Sequence, residues 1–144
     1  MAKSIRAVLD TNVFVSAALS RNPSSPTREI LERWEQGEFI LLICTPLVEE
    51  IVEKLVDHSI DETLIITFVE KLAQAAAWAE VSPEKIENLL SDPDDNIVVA
   101  CAVEGGANYL VTYDPHFDSL HGEYQGVKIL KAIPFLEVLR QSKE

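Results

Sequence analysis

The chain has 144 residues, 47% hydrophobic and 25% charged, a globular balance that argues against a disordered chain and predicts one domain over 1–144. Twenty-four acids against 12 bases give a net charge of −12, which argues against a basic nucleic-acid coat and against attachment to anionic membranes. Two cysteines, Cys44 and Cys101, are too few for a disulfide scaffold. Both lie in apolar runs without CxxC spacing and read as buried free thiols.

No stretch reaches the roughly 20 apolar residues of a membrane span; the longest, 39–48, is broken by Thr45 and Pro46. Lys3 and Arg6 precede an apolar run that Asp10 cuts to three residues, so no signal peptide is read there. The expected setting is the reducing cytoplasm.

Strand-like and helix-like segments alternate along the chain. Ile5–Leu9 is a short apolar strand ending at Asp10, and Val13–Leu19 is a turn or two of helix. SRNPSS at 20–25 is a loop. Ser25-Pro26 starts a helix with Ile30, Leu31 and Trp34 on one face, and Gly37 stops it. Phe39–Cys44 is a near-continuous apolar run, as in a strand buried on both faces.

Thr45-Pro46 repeats the N-cap and proline pattern, before Leu47, Val48, Ile51, Val52, Leu55 and Val56 at helical spacing. A second amphipathic helix is predicted from about Glu62 to about Trp78, and a short one over Glu84–Leu90. Asp92-Pro93 opens a helix that ends at Gly105-Gly106. Tyr109–Thr112 and Val127–Leu130 are strands, and Pro134 begins the last helix. Alternation of this kind predicts an α/β domain with a largely parallel sheet.

Ligands of such sheets bind beyond the carboxyl ends of the strands. The residues there are Asp10, Thr45 and Asp114. Asp10 also suits a helix cap, and Asp114-Pro115 suits a turn. Glu49 and Glu50 flank the apolar stripe of their helix on opposite sides, so spacing leaves open which one faces the crevice. Asp92 and Asp94 are good first-turn acids for a helix. Asp95 shares a face with Val98, Val99 and Ala102 on a helix apolar nearly all round, so its carboxylate needs a cation, a donor or a metal.

An EF-hand reading of 92–103 fails, because Ile97 stands for the glycine and Val103 for the closing glutamate. His116 and His121 do not make a metal pair by spacing, and Asp118 reads as a loop acid. Four acids near strand ends form an oxygen-rich site for Mg²⁺ or Mn²⁺, suited to metal-assisted phosphoryl transfer.

The ordered set Asp10-Thr11-Asn12, Thr45-Pro46-Leu47-Val48-Glu49-Glu50, Asp92-Pro93-Asp94-Asp95-Asn96 and Val111-Thr112-Tyr113-Asp114 resembles the PIN-domain family over most of the chain. It looks closest to the VapC-like toxin components of toxin–antitoxin systems. The resemblance implies a Rossmann-like three-layer α/β/α sandwich with a central, mainly parallel sheet. It also implies a Mg²⁺- or Mn²⁺-dependent endoribonuclease, with RNA as substrate and an antitoxin protein as partner.

By the same resemblance Asp10, Glu50, Asp95 and Asp114 are the catalytic and metal-binding acids; Glu50 matches because it precedes an aliphatic residue, Ile51. Asn12 and Thr112 match the supporting polar positions. Tyr113 departs from the small residue or arginine usual at its place. A homodimer through the apolar face around Leu64, Phe68 and Leu72 is one expectation, and ordinary core use of that face is the other.

Two other functions fit parts of the pattern. A haloacid-dehalogenase-like phosphatase also has an Asp after its first strand, but it needs a second acid where this chain has Asn12. A non-catalytic interaction module would use its acids only as caps and for solubility; the predicted inner-face position of Asp95 argues against it.

Overall fold

The structure is a computed structural model and describes residues 4–142; Lys3 lies outside that range. Its strands are β1 (Arg6–Leu9), β2 (Ile40–Ile43), β3 (Ala77–Trp78), β4 (Tyr109–Val111), β5 (Glu123–Tyr124) and β6 (Val127–Leu130). Its helices are α1 (Thr11–Leu19), α2 (Pro26–Glu35), α3 (Thr45–Asp57), α4 (Glu62–Ala75), α5 (Pro93–Glu104) and α6 (Ala132–Ser142).

The strands form one sheet in the order β3-β2-β1-β4-β6-β5. All pairings are parallel except β5 with β6. The chain builds outward from β1 through β2 to β3, then returns to add β4 on the other side of β1. The order therefore reverses between β1 and β4, where an open α/β sheet forms its ligand crevice.

Helices cover both faces, giving the expected Rossmann-like α/β/α layering. Leu42 of β2 packs against Gly105 at the end of α5. On the opposite face the rings of Phe39 and Tyr109 pack on Phe135 of α6, at 5.4 and 5.7 Å between centroids. Residues 41–44 are all buried, as the continuous apolar run predicts for a central strand. The thiols of Cys44 and Cys101 are free, buried and in contact with each other. Their interaction holds the Cys44 thiol down and the Cys101 thiol up.

Several boundaries differ from the sequence reading. Helix α3 begins at Thr45, one residue before the proline, with Cys44 as its N-cap. Helix α4 stops at Ala75, and Ala77–Trp78 becomes edge strand β3 beside β2. Periodicity misses a two-residue strand because nothing alternates over so short a span. Glu84–Leu90 is no α-helix: a 3₁₀ turn at Pro83–Lys85 leads into irregular chain. Helix α6 starts at Ala132, not Pro134, since proline is tolerated within a helix's first turn.

The apolar face of α4 divides. Leu72 is fully buried and Phe68 packs on Phe14 at 5.3 Å, whereas Leu64 is 64% exposed. Part of that face is therefore core, and Leu64 stands outside it.

The irregular stretch before α5 is held by one buried amide. Asn96 Oδ1 accepts from the N–H groups of Leu89 (3.1 Å) and Leu90 (2.8 Å), and its Nδ2 donates to Leu90 O (2.9 Å). This pins the loop to the first turn of α5, next to Asp95. Asn96→Ala strands three backbone groups, two of them buried, and is expected to lower stability by about 1–3 kcal/mol, read as a reduced urea midpoint. Asn96→Asp, which loses the donor to Leu90 O, is expected to fall between the two proteins.

Candidate active site

The site lies where β1 and β4 end side by side. Leu9 pairs with Val111, and the Asp10 N–H donates to Val111 O at 2.9 Å. This contact sets Asp10 beside Thr112. Asp10 is 4% exposed, and its Oδ1 accepts from the Thr11 N–H at 2.8 Å. Its Oδ2 accepts from the Thr112 hydroxyl at 2.7 Å. The Thr112 oxygen in turn accepts from the Asp114 N–H at 2.9 Å, so one hydroxyl positions both acids. Asp10 is thus both a helix cap and a crevice acid.

Asp95 enters from the first turn of α5 and is 5% exposed. The deduction that a carboxylate on that face needs a partner is met by His116, whose Nδ1 lies 3.1 Å from Asp95 Oδ2. The same nitrogen is 3.2 Å from Asp114 Oδ1. Asp114 caps the 3₁₀ turn Pro115–Leu120 and accepts from the His116 backbone N–H at 2.9 Å. Carboxylate oxygens of Asp10, Asp95 and Asp114 all lie within 4.8 Å of one another. Asp92, Asp95 and His116 form a second group of the same span, sharing Asp95.

Glu50 is half-buried and Glu49 exposed, so the tertiary structure separates the two that spacing left equivalent. Glu50 stands outside both close groups but feels Asp94, Asp10 and Asp95. Asn12 Oδ1 accepts from the Tyr113 N–H at 3.3 Å, tying the start of α1 to the loop after β4. His121 is exposed, at the end of the 3₁₀ turn, and Asp118 is exposed within it.

His116 is the residue that sequence reading undervalued. An aspartate capping a turn draws in the N–H two residues on, and Asp114-Pro115-His116 carries that signal. The direction of the ring toward Asp95 carries no signal in the sequence.

Crowded, buried acids are costly to ionise. Burial, more than the neighbouring charges, pushes Asp95 up to about 6 and Glu50 up to about 7. Burial also raises Asp10, although the bonds from Thr112 and Thr11 pull it back. His116 is held protonated to higher pH by Asp95 first and by the charge of Asp114 second.

The donor set fits a hard divalent cation. Every ligand atom of the triad is a carboxylate oxygen, and oxygens around Mg²⁺ or Mn²⁺ lie about 3–4.3 Å apart for bonds of about 2.1 Å. The Thr11 hydroxyl, next to Asp10, is buried without a hydrogen bond of good geometry. It moderates the rise of Glu50 and is a spare polar group at the site.

A sequence profile described as PIN domain matches residues 6–116. Among solved structures, a chain in the crystal structure of VapBC2 from Rickettsia felis bound to a DNA fragment from their promoter has a similar fold. The TM-score is 0.60 at 15% identity, over 88% of this chain and 98% of that one. No curated protein matches the sequence.

Three outcomes follow from this arrangement. Their folded-state pKa values are raised, so the protonated forms favour the folded protein, and that contribution is lost as pH rises through about 6 for Asp95 and about 7 for Glu50. In chelator, Asp95→Asn and Glu50→Gln are expected to melt above wild type at pH 8, by on the order of 1 kcal/mol each after solvent screening. The difference should vanish near pH 4. A divalent cation must displace the same protons, so Mn²⁺ affinity by calorimetry is expected to rise between pH 5.5 and 8 with proton release. Thr112→Val, which unties Asp10 from Asp114, is expected to weaken it about 10- to 100-fold.

Proposed function

The chain belongs to the PIN-domain family, and from that premise we propose that it is a metal-dependent endoribonuclease that hydrolyses RNA phosphodiester bonds as the toxin of a toxin–antitoxin pair. The observation that carries this reading is the convergence of Asp10, Asp95 and Asp114 at the carboxyl ends of β1 and β4, within 4.8 Å of one another. Three carboxylates so close repel one another, and a bound cation relieves that repulsion. The antitoxin partner and the cytoplasmic setting rest on likeness to the VapBC2 fold and on the sequence resemblance.

In this reading Asp10, Asp95 and Asp114 hold Mg²⁺ or Mn²⁺, with Glu50 beside them. Bound there, the ion supplies positive charge opposite the phosphodiester and makes a water more acidic. The Thr112 hydroxyl keeps Asp10 and Asp114 in register. Asn12 fixes the Tyr113 backbone at the rim. Glu50, half-buried beside these acids, is suited to take the proton from the attacking water. His116 links Asp95 to Asp114 and offsets their charge when the site carries no cation.

A phosphatase with Asp10 as nucleophile fits less well. Such a phosphatase needs an acid two residues on to shuttle the proton, and Asn12 stands there with its amide oxygen accepting from the Tyr113 N–H.

The test is cleavage of a labelled single-stranded RNA pool with Mn²⁺ or Mg²⁺. Wild type is expected to cut it, chelator to stop it, and Asp10→Asn to lower the rate about 100-fold or more. Equal background from both proteins would overturn the reading. Expression of wild type, but not of Asp10→Asn, is expected to arrest cell growth if the toxin role is right.

A further inference from the structure

We propose that Thr11 is a positioning residue for Glu50, its buried hydroxyl holding the Glu50 carboxylate on the Asp10 side of the crevice; the proposal rests on the ribonuclease reading. Among the described residues, Thr11 Oγ1 is the one buried side-chain oxygen or nitrogen without a hydrogen bond of good geometry. Thr11 as a whole is 5% exposed. A buried hydroxyl in that state costs stability, and native proteins keep few of them. Valine has nearly the same shape and would fill the space without that cost, so packing gives no reason for the hydroxyl.

Its position is set by the backbone around it. Thr11 opens α1 directly after the cap residue Asp10. Its N–H donates to Asp10 Oδ1 at 2.8 Å, and the Val13 N–H donates to Asp10 O at 3.0 Å. Both bonds tie the first turn of α1 to the end of β1. The side chain is β-branched, so few rotamers are open to it. The hydroxyl is therefore rooted as firmly as Asp10 itself.

The acceptor comes from α3, which packs against α1 and carries Glu50, half-buried. The Thr11 hydroxyl is close enough to Glu50 to favour its charged form, whereas Asp94, Asp10 and Asp95 repel that charge. Glu50 makes no ion pair among the described residues. Three acids thus push its carboxylate out of the crevice, and a hydroxyl draws it in. Hydrogen bonds to an ionised acceptor are roughly twice as strong as neutral ones.

A hydroxyl is also the right kind of donor for this place. A lysine or arginine would hold Glu50 more strongly, but its charge would compete with a cation for the same acids. Threonine donates without adding charge. The two threonines then join the acids in series. Thr112 links Asp114 to Asp10, and Thr11 links Asp10, through its N–H, to Glu50, through its hydroxyl.

Two measurements test this. The first is a double-mutant cycle in thermal stability, in chelator at pH 8, on wild type, Thr11→Val, Glu50→Ala and the double variant. Thr11→Val is expected to be less favourable to Tm by about 2–5 °C when Glu50 is present than when it is absent. Additive effects, within about 1 °C, would overturn the proposal whatever the protein cleaves. The second is kcat and KM on a single-stranded RNA pool with Mn²⁺. Thr11→Val is expected to lower kcat about 10- to 100-fold with KM within about threefold, as when an outer-shell partner is removed. Thr11→Ser keeps the hydroxyl and is expected to restore kcat to within about fivefold of wild type. A packing role would follow side-chain bulk instead, leaving Thr11→Ser worse than Thr11→Val. Unchanged kcat in Thr11→Val, or Thr11→Ser as slow as Thr11→Val, would overturn the proposal and leave the ribonuclease intact. Failure of wild type to cut any RNA would overturn the ribonuclease reading and, with it, the role given to Thr11.

Discussion

Beyond Leu9 and Val111, β1 and β4 exchange one further hydrogen bond, from the Asp10 N–H to Val111 O at 2.9 Å. The site depends on it. This bond carries Asp10 past the end of its strand in contact with the chain leading to Asp114, 104 positions later in the sequence. The Thr112 hydroxyl then ties the two acids together, donating to one carboxylate and accepting from the backbone of the other. The two β4-side groups owe their relation to Asp10 to a parallel pairing that only a completed sheet provides. Such non-local pairing is costly to form and gains its stability late, when the sheet closes.

The same closeness sets acids against each other. Asp10, Asp95 and Asp114 are brought within 4.8 Å of one another, the first two buried and the third half-buried, and the raised pKa values of Asp10, Asp95 and Glu50 record the cost. The protein tempers it with local donors: Thr11 N–H and the Thr112 hydroxyl on Asp10, and His116 on Asp95 and Asp114. His116 is 53% exposed at its side chain, so its charge is well hydrated and offsets the acids only in part. Acids crowded in this way cost stability as pH rises through their raised pKa values.

Structural support around the acids is chemically ordinary and spatially specific. Helix α5 delivers Asp95 because its remaining faces are apolar and buried against β1, β2 and β4. Asn96, the next residue, spends its whole amide on the loop before the helix. Gly105 closes the helix where a Cβ would lie 2.9 Å from Cys101 O and 3.1 Å from Leu42, so the end of α5 meets β2 without a side chain between them. Each contact fixes the depth at which Asp95 stands in the crevice.

Much of this was legible in the residues. Short segments rich in apolar residues placed β1, β2, β4 and β6, and Ser25-Pro26 and Asp92-Pro93 marked helix starts, because burial and capping are local demands that composition must meet. The acids after strands could be read for the same reason, and so could the need of Asp95 for a partner. What stayed illegible depended on neighbours far along the chain. β3 is a strand only because the edge of β2 is there to pair with it. Glu50 rather than Glu49 faces the acids because of how α3 is rotated against the sheet. His116 turns to Asp95 because two elements 21 residues apart meet. Sequence by itself determined the longer elements and the inventory of charged groups, since hydrophobic period and cap chemistry act within a few residues. Tertiary structure alone decided which of those groups share a site, since that is set by strand order and helix rotation, and neither has a local energy for the sequence to reveal.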